Sequence, residues 1–131
     1  MFCSEFCLFV VFRMLSRVIS RSFSNVRYVD LSPVRSLIAL RGADRLSVLQ
    51  NLITNDIQNL EVLKVLYAFM LNSKGRAMFD VILYDVGDET LVECDRDLAP
   101  KVFKHLKMYK IRKQVQLERD PEDYQIGHLL G

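Results

Sequence analysis

Acidic residues are absent from Phe6 to Val29, and they are absent again from Leu98 to Leu117. Cysteine is scarce. Cys3, Cys7 and Cys94 are the only three, which is too few and too scattered for a disulfide framework, and no pair has the spacing of a metal site. Cys94 sits alone in an apolar stretch and reads as a small buried hydrophobe. Internal repeats and low-complexity tracts are missing. No apolar run is long enough to span a bilayer, since Phe6 to Phe12 falls well short of it. Strong net charge is lacking too: 18 Lys and Arg stand against 16 Asp and Glu. Arg13, Arg17 and Arg21 against Glu5 account for the whole excess of +2, so the remainder is neutral. A neutral body argues against non-specific nucleic-acid binding as the main task.

The first acid-free stretch reads as an address. Arg13, Arg17, Arg21 and Arg27 recur at about a helical turn, with Ser16, Ser20, Ser22 and Ser24 between them. Leu15, Val18, Ile19 and Phe23 supply an apolar face. This is the composition of a mitochondrial presequence over residues 1–23, followed by a linker over 24–34. Arg21-Ser22-Phe23-Ser24 resembles the pattern cut by the matrix processing peptidase, which makes Ser24 the expected mature start. Phe6 to Phe12 also suits a secretory h-region, but Glu5 precedes it and no small-residue cleavage site follows. Met14 opens a conventional presequence by itself.

The body alternates short apolar runs with turn clusters. Val34–Leu40 predicts a strand, and Asp44 the start of a helix carrying Leu46, Leu49, Leu52 and Ile53 on one face. Thr54-Asn55-Asp56 ends that helix, and Glu61–Lys64 reads as a connector. Tyr67–Leu71, Ala77–Tyr84 and Leu91–Cys94 predict strands, separated by turns at Asn72–Gly75 and Asp85–Glu89. A helix follows over about Leu98–Lys110, with Asp97 as N-cap and Pro100 in its first turn. Its apolar face takes Leu98, Val102, Leu106 and Tyr109. Val115–Glu118 closes as a strand. Leu129-Leu130-Gly131 ends the chain on apolar residues that call for a partner element. The pattern predicts an α+β fold, an antiparallel sheet with helices on one face.

Asp80 is the odd member of its apolar strand, and a charge there must be paired, exposed or used. Alternation along an extended strand would put Arg76, Met78 and Asp80 on one face. Asp80 is then either a ligand contact or a solvent-facing carboxylate paired with Lys74 or Arg76. Lys74 and Arg76 flank Gly75 and suit an anionic group, or else they are solvated cations of a hairpin. Asn55 and Asp56 orient a loop near a ligand, or end a helix. The run Lys101, Lys104, Lys107, Lys110, Arg112 and Lys113 suits an acidic partner or RNA, or else the helix macrodipole.

Gly42-Ala43-Asp44 with Leu49 to Asp56, then Leu71-Asn72-Ser73-Lys74-Gly75-Arg76 and Asp80, resemble the opening motifs of the aminomethyltransferase (glycine-cleavage T-protein) superfamily. Phe79 to Tyr84, Glu93-Cys94-Asp95 and His105 to Lys113 resemble its mitochondrial folate-binding YgfZ-type branch, an iron–sulfur cluster assembly factor. The resemblance covers about residues 35–120. It implies an incomplete aminomethyltransferase-like domain over 35–131 and a non-catalytic role in [4Fe–4S] maturation. Its implied partners are iron–sulfur assembly proteins of the mitochondrial matrix. The implied cofactor is tetrahydrofolate or a related folate, met by Asn55, Asp56, Lys74, Gly75, Arg76 and Asp80, though not bound by a chain this short. No catalytic residue and no metal ligand is implied. The alternatives are an enzyme moving a one-carbon unit to tetrahydrofolate, against which Phe79 replaces the first of an acidic pair, or a truncated product without function. The branch also carries a Lys-Gly-Cys motif, and none of the three cysteines has that context.

The leader carries its own test. Residues 1–30 fused ahead of a fluorescent reporter are expected to direct it to mitochondria, and Arg17→Glu with Arg21→Glu to abolish this. Fluorescence microscopy decides, and a secretory or diffuse signal from the unmodified fusion would refute the assignment.

Overall fold

The structure is a computed structural model that describes residues 8–13 and 27–130. In chain order it contains β1 (Leu8–Arg13), β2 (Arg27–Asp30), β3 (Arg35–Arg41), α1 (Arg45–Gln50), α2 (Gln58–Leu63) and β4 (Val65–Leu71). There follow β5 (Ala77–Asp85), β6 (Glu89–Asp95), α3 (Ala99–Tyr109), β7 (Gln116–Arg119) and β8 (Tyr124–Leu130). Five strands form one antiparallel sheet in the order β4-β5-β6-β3-β7, and three form a second in the order β1-β8-β2.

Strand β3 is where the two layers meet. Its alternate residues serve two cores, so it reads as a continuous apolar run instead of an alternating one. Ile38 and Leu40 join Val81, Leu83 and Val92 beneath the helices, where Leu49 of α1, Leu60 of α2, and Val102 and Leu106 of α3 cover the sheet. Leu37 and Ala39 face the other way, with Leu91 and Tyr84, against Tyr124 and Ile126 of β8. The helices thus cover one face of the large sheet, as expected, and β8 covers part of the other.

Several local expectations are corrected. Asp44 does stand at the start of α1, as its N-cap residue, but its side chain makes no capping bond there. Its Oδ2 accepts the amide of Gln114 at 2.8 Å, which ties the helix entry to the approach of β7. Asp97 is not the cap of α3; that position belongs to Leu98, again without a side-chain bond. Glu61–Lys64 is mostly helix, the last part of α2, closed by Lys64 in the left-handed region. The C-terminal residues do have partners: β8 pairs with β1 on one side and β2 on the other. Regular structure therefore begins upstream of residue 35, in segments read as leader and linker. Cys3, Cys7 and residues 14–26, which hold Arg17 and Arg21, lie outside the described residues. Among the described residues no helix is long and apolar enough to cross a membrane.

Gly42 has a definite steric duty. Its φ is +120°, and a Cβ there would stand 2.1 Å from the carbonyl oxygen of Gln114. Only glycine lets the β3–α1 turn meet the segment before β7 so closely. Gly42→Ala is expected to destabilise the fold by about 1–3 kcal/mol or more. Gly75→Ala, whose Cβ would meet nothing within 4 Å, is expected to cost clearly less. Urea denaturation followed by circular dichroism ranks the two.

Candidate functional site

The most deeply buried charge lies in the middle of β6. Glu93 is 0% exposed, flanked on its strand by Thr90, Leu91, Val92 and Cys94. Its two oxygens are both used. Arg35 Nε donates to Oε1 at 2.8 Å, and the Tyr84 hydroxyl donates to Oε2 at 2.5 Å. Arg35 also stands 3.7 Å from Asp95. Burial alone would lower the pKa of this guanidinium; the hydrogen bond and charge of Glu93 outweigh it, helped by Asp95 and Asp80, and raise it. Burial first, and then the Glu93 charge, push the Tyr84 phenol far above its ordinary range. A similar cluster sits at the other end of the same strand pair. Arg41 Nε meets Glu89 Oε2 at 2.5 Å, the Tyr124 hydroxyl donates to Oε1 at 2.5 Å, and Glu118 takes Arg41 Nη1 at 2.6 Å.

Toward β4 no described residue covers this face of the sheet. Phe69 lies opposite Asp80 and Tyr67 opposite Ile82. Residues paired across antiparallel strands share a face, so Asp80, Phe69 and Tyr67 lie on the same open surface. Tyr67 is 53% and Phe69 43% exposed, their ring centres 5.6 Å apart in an edge-on arrangement. Asp80 is exposed and, among the described residues, its carboxylate makes no hydrogen bond or ion pair; it acts on Arg35 only through its field. An aromatic step beside an unengaged carboxylate can take a flat polar ring that presents N–H groups at its edge.

The other sequence-predicted residues are held by structural bonds. Asn55 is half-buried at the outer edge of β4, where its side-chain amide donates to the Tyr67 carbonyl at 3.1 Å. Thr54 continues that edge: its amide donates to the Phe69 carbonyl, and its hydroxyl accepts the Phe69 amide. Asp56 Oδ1 accepts the Gln58 amide at 2.9 Å and so serves the start of α2. Lys74, Gly75 and Arg76 form the hairpin tip. Asn72 Oδ1 accepts the amides of Lys74 and Arg76, and Gly75 has a φ of +74°. Neither Lys74 nor Arg76 pairs with Asp80. Strict alternation also fails between them. The register opposes Met70 to Phe79 but Leu71 to Ala77, so Met78 is an extra residue and Arg76 is not carried onto the Asp80 face by periodicity.

The sequence reading missed Glu93, Arg35 and Tyr84. The signal was present, since Glu93 interrupts Leu91-Val92-Glu93-Cys94 much as Asp80 interrupts its own strand. It missed His105 as well, whose Nε2 lies 2.9 Å from the Leu71 carbonyl beneath the sheet. Cys94 is buried as expected, and burial pushes its thiol up to about 11. Among the described residues no group of His, Cys, Asp and Glu side chains is placed to hold a metal.

The fold is similar to that of an aminomethyltransferase. The chain aligns with the glycine cleavage system aminomethyltransferase T of Bartonella henselae at a TM-score of 0.69 and 20% identity, over 81% of this chain and 29% of that one. Residues 13–131 match the family described as the GCVT N-terminal domain, and the chain belongs to that family. Among its relatives is the mitochondrial iron–sulfur cluster assembly factor IBA57 of Mus musculus, 36% identical over 102 residues, covering 67% of this chain and 28% of the relative. The Homo sapiens factor is 34% identical, with the same coverage. The Neurospora crassa homologue is 37% identical over 72% of this chain and 23% of its own. The chain therefore spans about a quarter of the length of the curated relatives it matches. All three are named as mitochondrial, in agreement with the location expected from the leader.

Removing one member of the buried pair is expected to be costly. Arg35→Ala should lower stability by about 3–5 kcal/mol, because it leaves Glu93 buried and unpaired. Tyr84→Phe should cost about 1–3 kcal/mol. Chemical denaturation measures both, and an Arg35→Ala chain as stable as its parent would show that Glu93 reaches water.

Proposed function

We propose that this chain is the front part of a folate-binding-type, non-catalytic factor that supports [4Fe–4S] protein maturation in the mitochondrial matrix, imported by a presequence over residues 1–23 whose cleavage would remove β1 and leave β8 paired with β2. The observation that carries this reading is the 34–37% identity to relatives named as mitochondrial iron–sulfur cluster assembly factors. Its partners would be the iron–sulfur assembly proteins of the matrix.

The open face supports a folate subsite. Asp80 would accept N–H groups of the pterin edge, and Phe69 and Tyr67 would bear on its ring. Lys74 and Arg76, exposed at the hairpin tip about 10 Å or more from Asp80 at the rise of a strand, would meet the anionic glutamate tail. Gly75 keeps that tip tight, Asn55 braces the edge of β4 at Tyr67, and Asp56 holds the start of α2 next to it. Tetrahydrofolate supplies a one-carbon carrier where it is bound; the residues here bind and orient it. Phe79 favours this reading over one-carbon transfer. It turns into the helix-covered core beside His105, away from Asp80, and leaves position 80 without an acidic neighbour in sequence on the same face.

A chimera in which this chain replaces the matching segment of the mouse relative tests the subsite. Asp80→Asn should weaken its tetrahydrofolate binding, measured by calorimetry, by about 1–3 kcal/mol. The 131-residue chain alone should bind none measurably. Depletion of the gene product should lower [4Fe–4S] enzyme activity in mitochondria and spare [2Fe–2S] proteins. Unchanged affinity in Asp80→Asn would refute the subsite; unchanged [4Fe–4S] activity would refute the role.

A further inference from the structure

The second acid-free stretch ends in a patch that the folate face does not use. On α3 the residues turned inward are Ala99, Val102, His105 and Leu106. Lys101, Lys104 and Lys107 lie exposed on the other side. Just beyond them two apolar side chains stand in water: Met108 is 58% and Ile111 69% exposed. Arg112 and Lys113, both exposed, follow in the turn, which is closed by the Lys113 amide on the Lys110 carbonyl at 2.8 Å. Arg112 holds a left-handed backbone, with φ 64°. Lys110 is engaged, its Nζ on the Val115 carbonyl at 3.0 Å. No carboxylate lies in the sequence from Leu98 to Leu117. Asp44, which reaches this region, is occupied by the Gln114 amide.

We propose that the C-terminal end of α3 and the turn after it dock on an anionic lipid surface, with Met108 and Ile111 entering the headgroup–acyl boundary and Lys104, Lys107, Arg112 and Lys113 on the lipid phosphates. Macrodipole compensation accounts for cations near a helix C-terminus, but not for two large apolar side chains among them. Apolar residues ringed by Lys and Arg are the arrangement that binds at a membrane interface, where burial and charge attraction add. A lipid surface suits the patch better than an acidic peptide does. Met108 and Ile111 project outward from a helix end and a turn, and form no groove to receive an anchor. Nucleic acid is disfavoured because the adjacent ring is taken: Tyr109 packs on His105 with centres 4.7 Å apart.

The test is flotation of the 131-residue chain with vesicles, which separates bound protein from any aggregate. Vesicles of phosphatidylcholine with phosphatidylglycerol should carry the chain upward, and pure phosphatidylcholine should not. Lys104→Glu with Lys107→Glu, and separately Met108→Asp with Ile111→Asp, should each reduce the floated fraction by at least about tenfold. All four residues are exposed, and circular dichroism should match the parent. Should the aspartates disturb the fold, Met108→Ser with Ile111→Ser is read instead. The proposal is overturned by equal flotation with neutral vesicles or by none with anionic ones. It is equally overturned if the apolar variants float as the parent does, which is plain ionic adsorption, or if polyglutamate binds the chain and anionic vesicles do not.

Discussion

A carboxylate with no exposure has to find its partners inside the protein, and Glu93 finds them on two other strands. Taking it from water costs several kcal/mol, which only close partners on both oxygens offset. Arg35 comes from β3 and Tyr84 from β5, so one side chain fastens three adjacent strands. It also fixes their register. A slip of β6 by one residue would turn Glu93 into the helix-covered core and leave Arg35 facing apolar surface. Glu89 repeats the device at the other end of the β3–β6 pair and brings in Tyr124 of β8, so the second sheet is tied to the first through a carboxylate as well.

These two clusters determine what the lower face of the sheet can offer. Between them Leu37, Ala39 and Leu91 are covered by Tyr124 and Ile126. Beyond Glu93, on the β4–β5 side, nothing among the described residues covers Tyr67, Phe69 or Asp80. Arg35 is held by Glu93, and Asp80 acts on that guanidinium only through its charge. The outer edge of β4 would otherwise invite pairing with another chain. Thr54 and Asn55 occupy it with hydrogen bonds to Phe69 and Tyr67, which also stiffens the strand that carries the aromatic pair.

The order of elements in the large sheet and its helix-covered face were legible, because periodicity and turn chemistry are local signals. What failed was non-local. Asp44 and Asp97 have the residue type of a cap, yet neither side chain caps a helix: Asp97 is not at the cap position, and the Asp44 carboxylate is drawn to an amide 70 residues away. The second sheet was invisible because β8 acquires its meaning only from β1 and β2. The charge-in-a-strand argument holds for Asp80, which is exposed, and applies with more force to Glu93, where it was not made. Asp80 attracted attention beside Lys74 and Arg76, while the buried member was Glu93, whose partner lies 58 residues away in sequence.

Much of what makes the motifs recognisable proves to be scaffold. Gly42 and Asp44 permit and hold the contact with Gln114; Asn55 and Asp56 serve the edge of β4 and the start of α2; Asn72 and Gly75 shape a hairpin. Such residues stay recognisable together because each satisfies a backbone requirement that few side chains meet. Residues free to address a ligand are those with no internal bond to make, and alternation deals them out singly along a strand. Phe79 and Asp80 illustrate the division within two residues. One packs beside His105 in the core, and its neighbour faces solvent beside Phe69. A change of chemistry on the open face can then proceed through position 80 without disturbing the core, whereas position 79 answers to packing first.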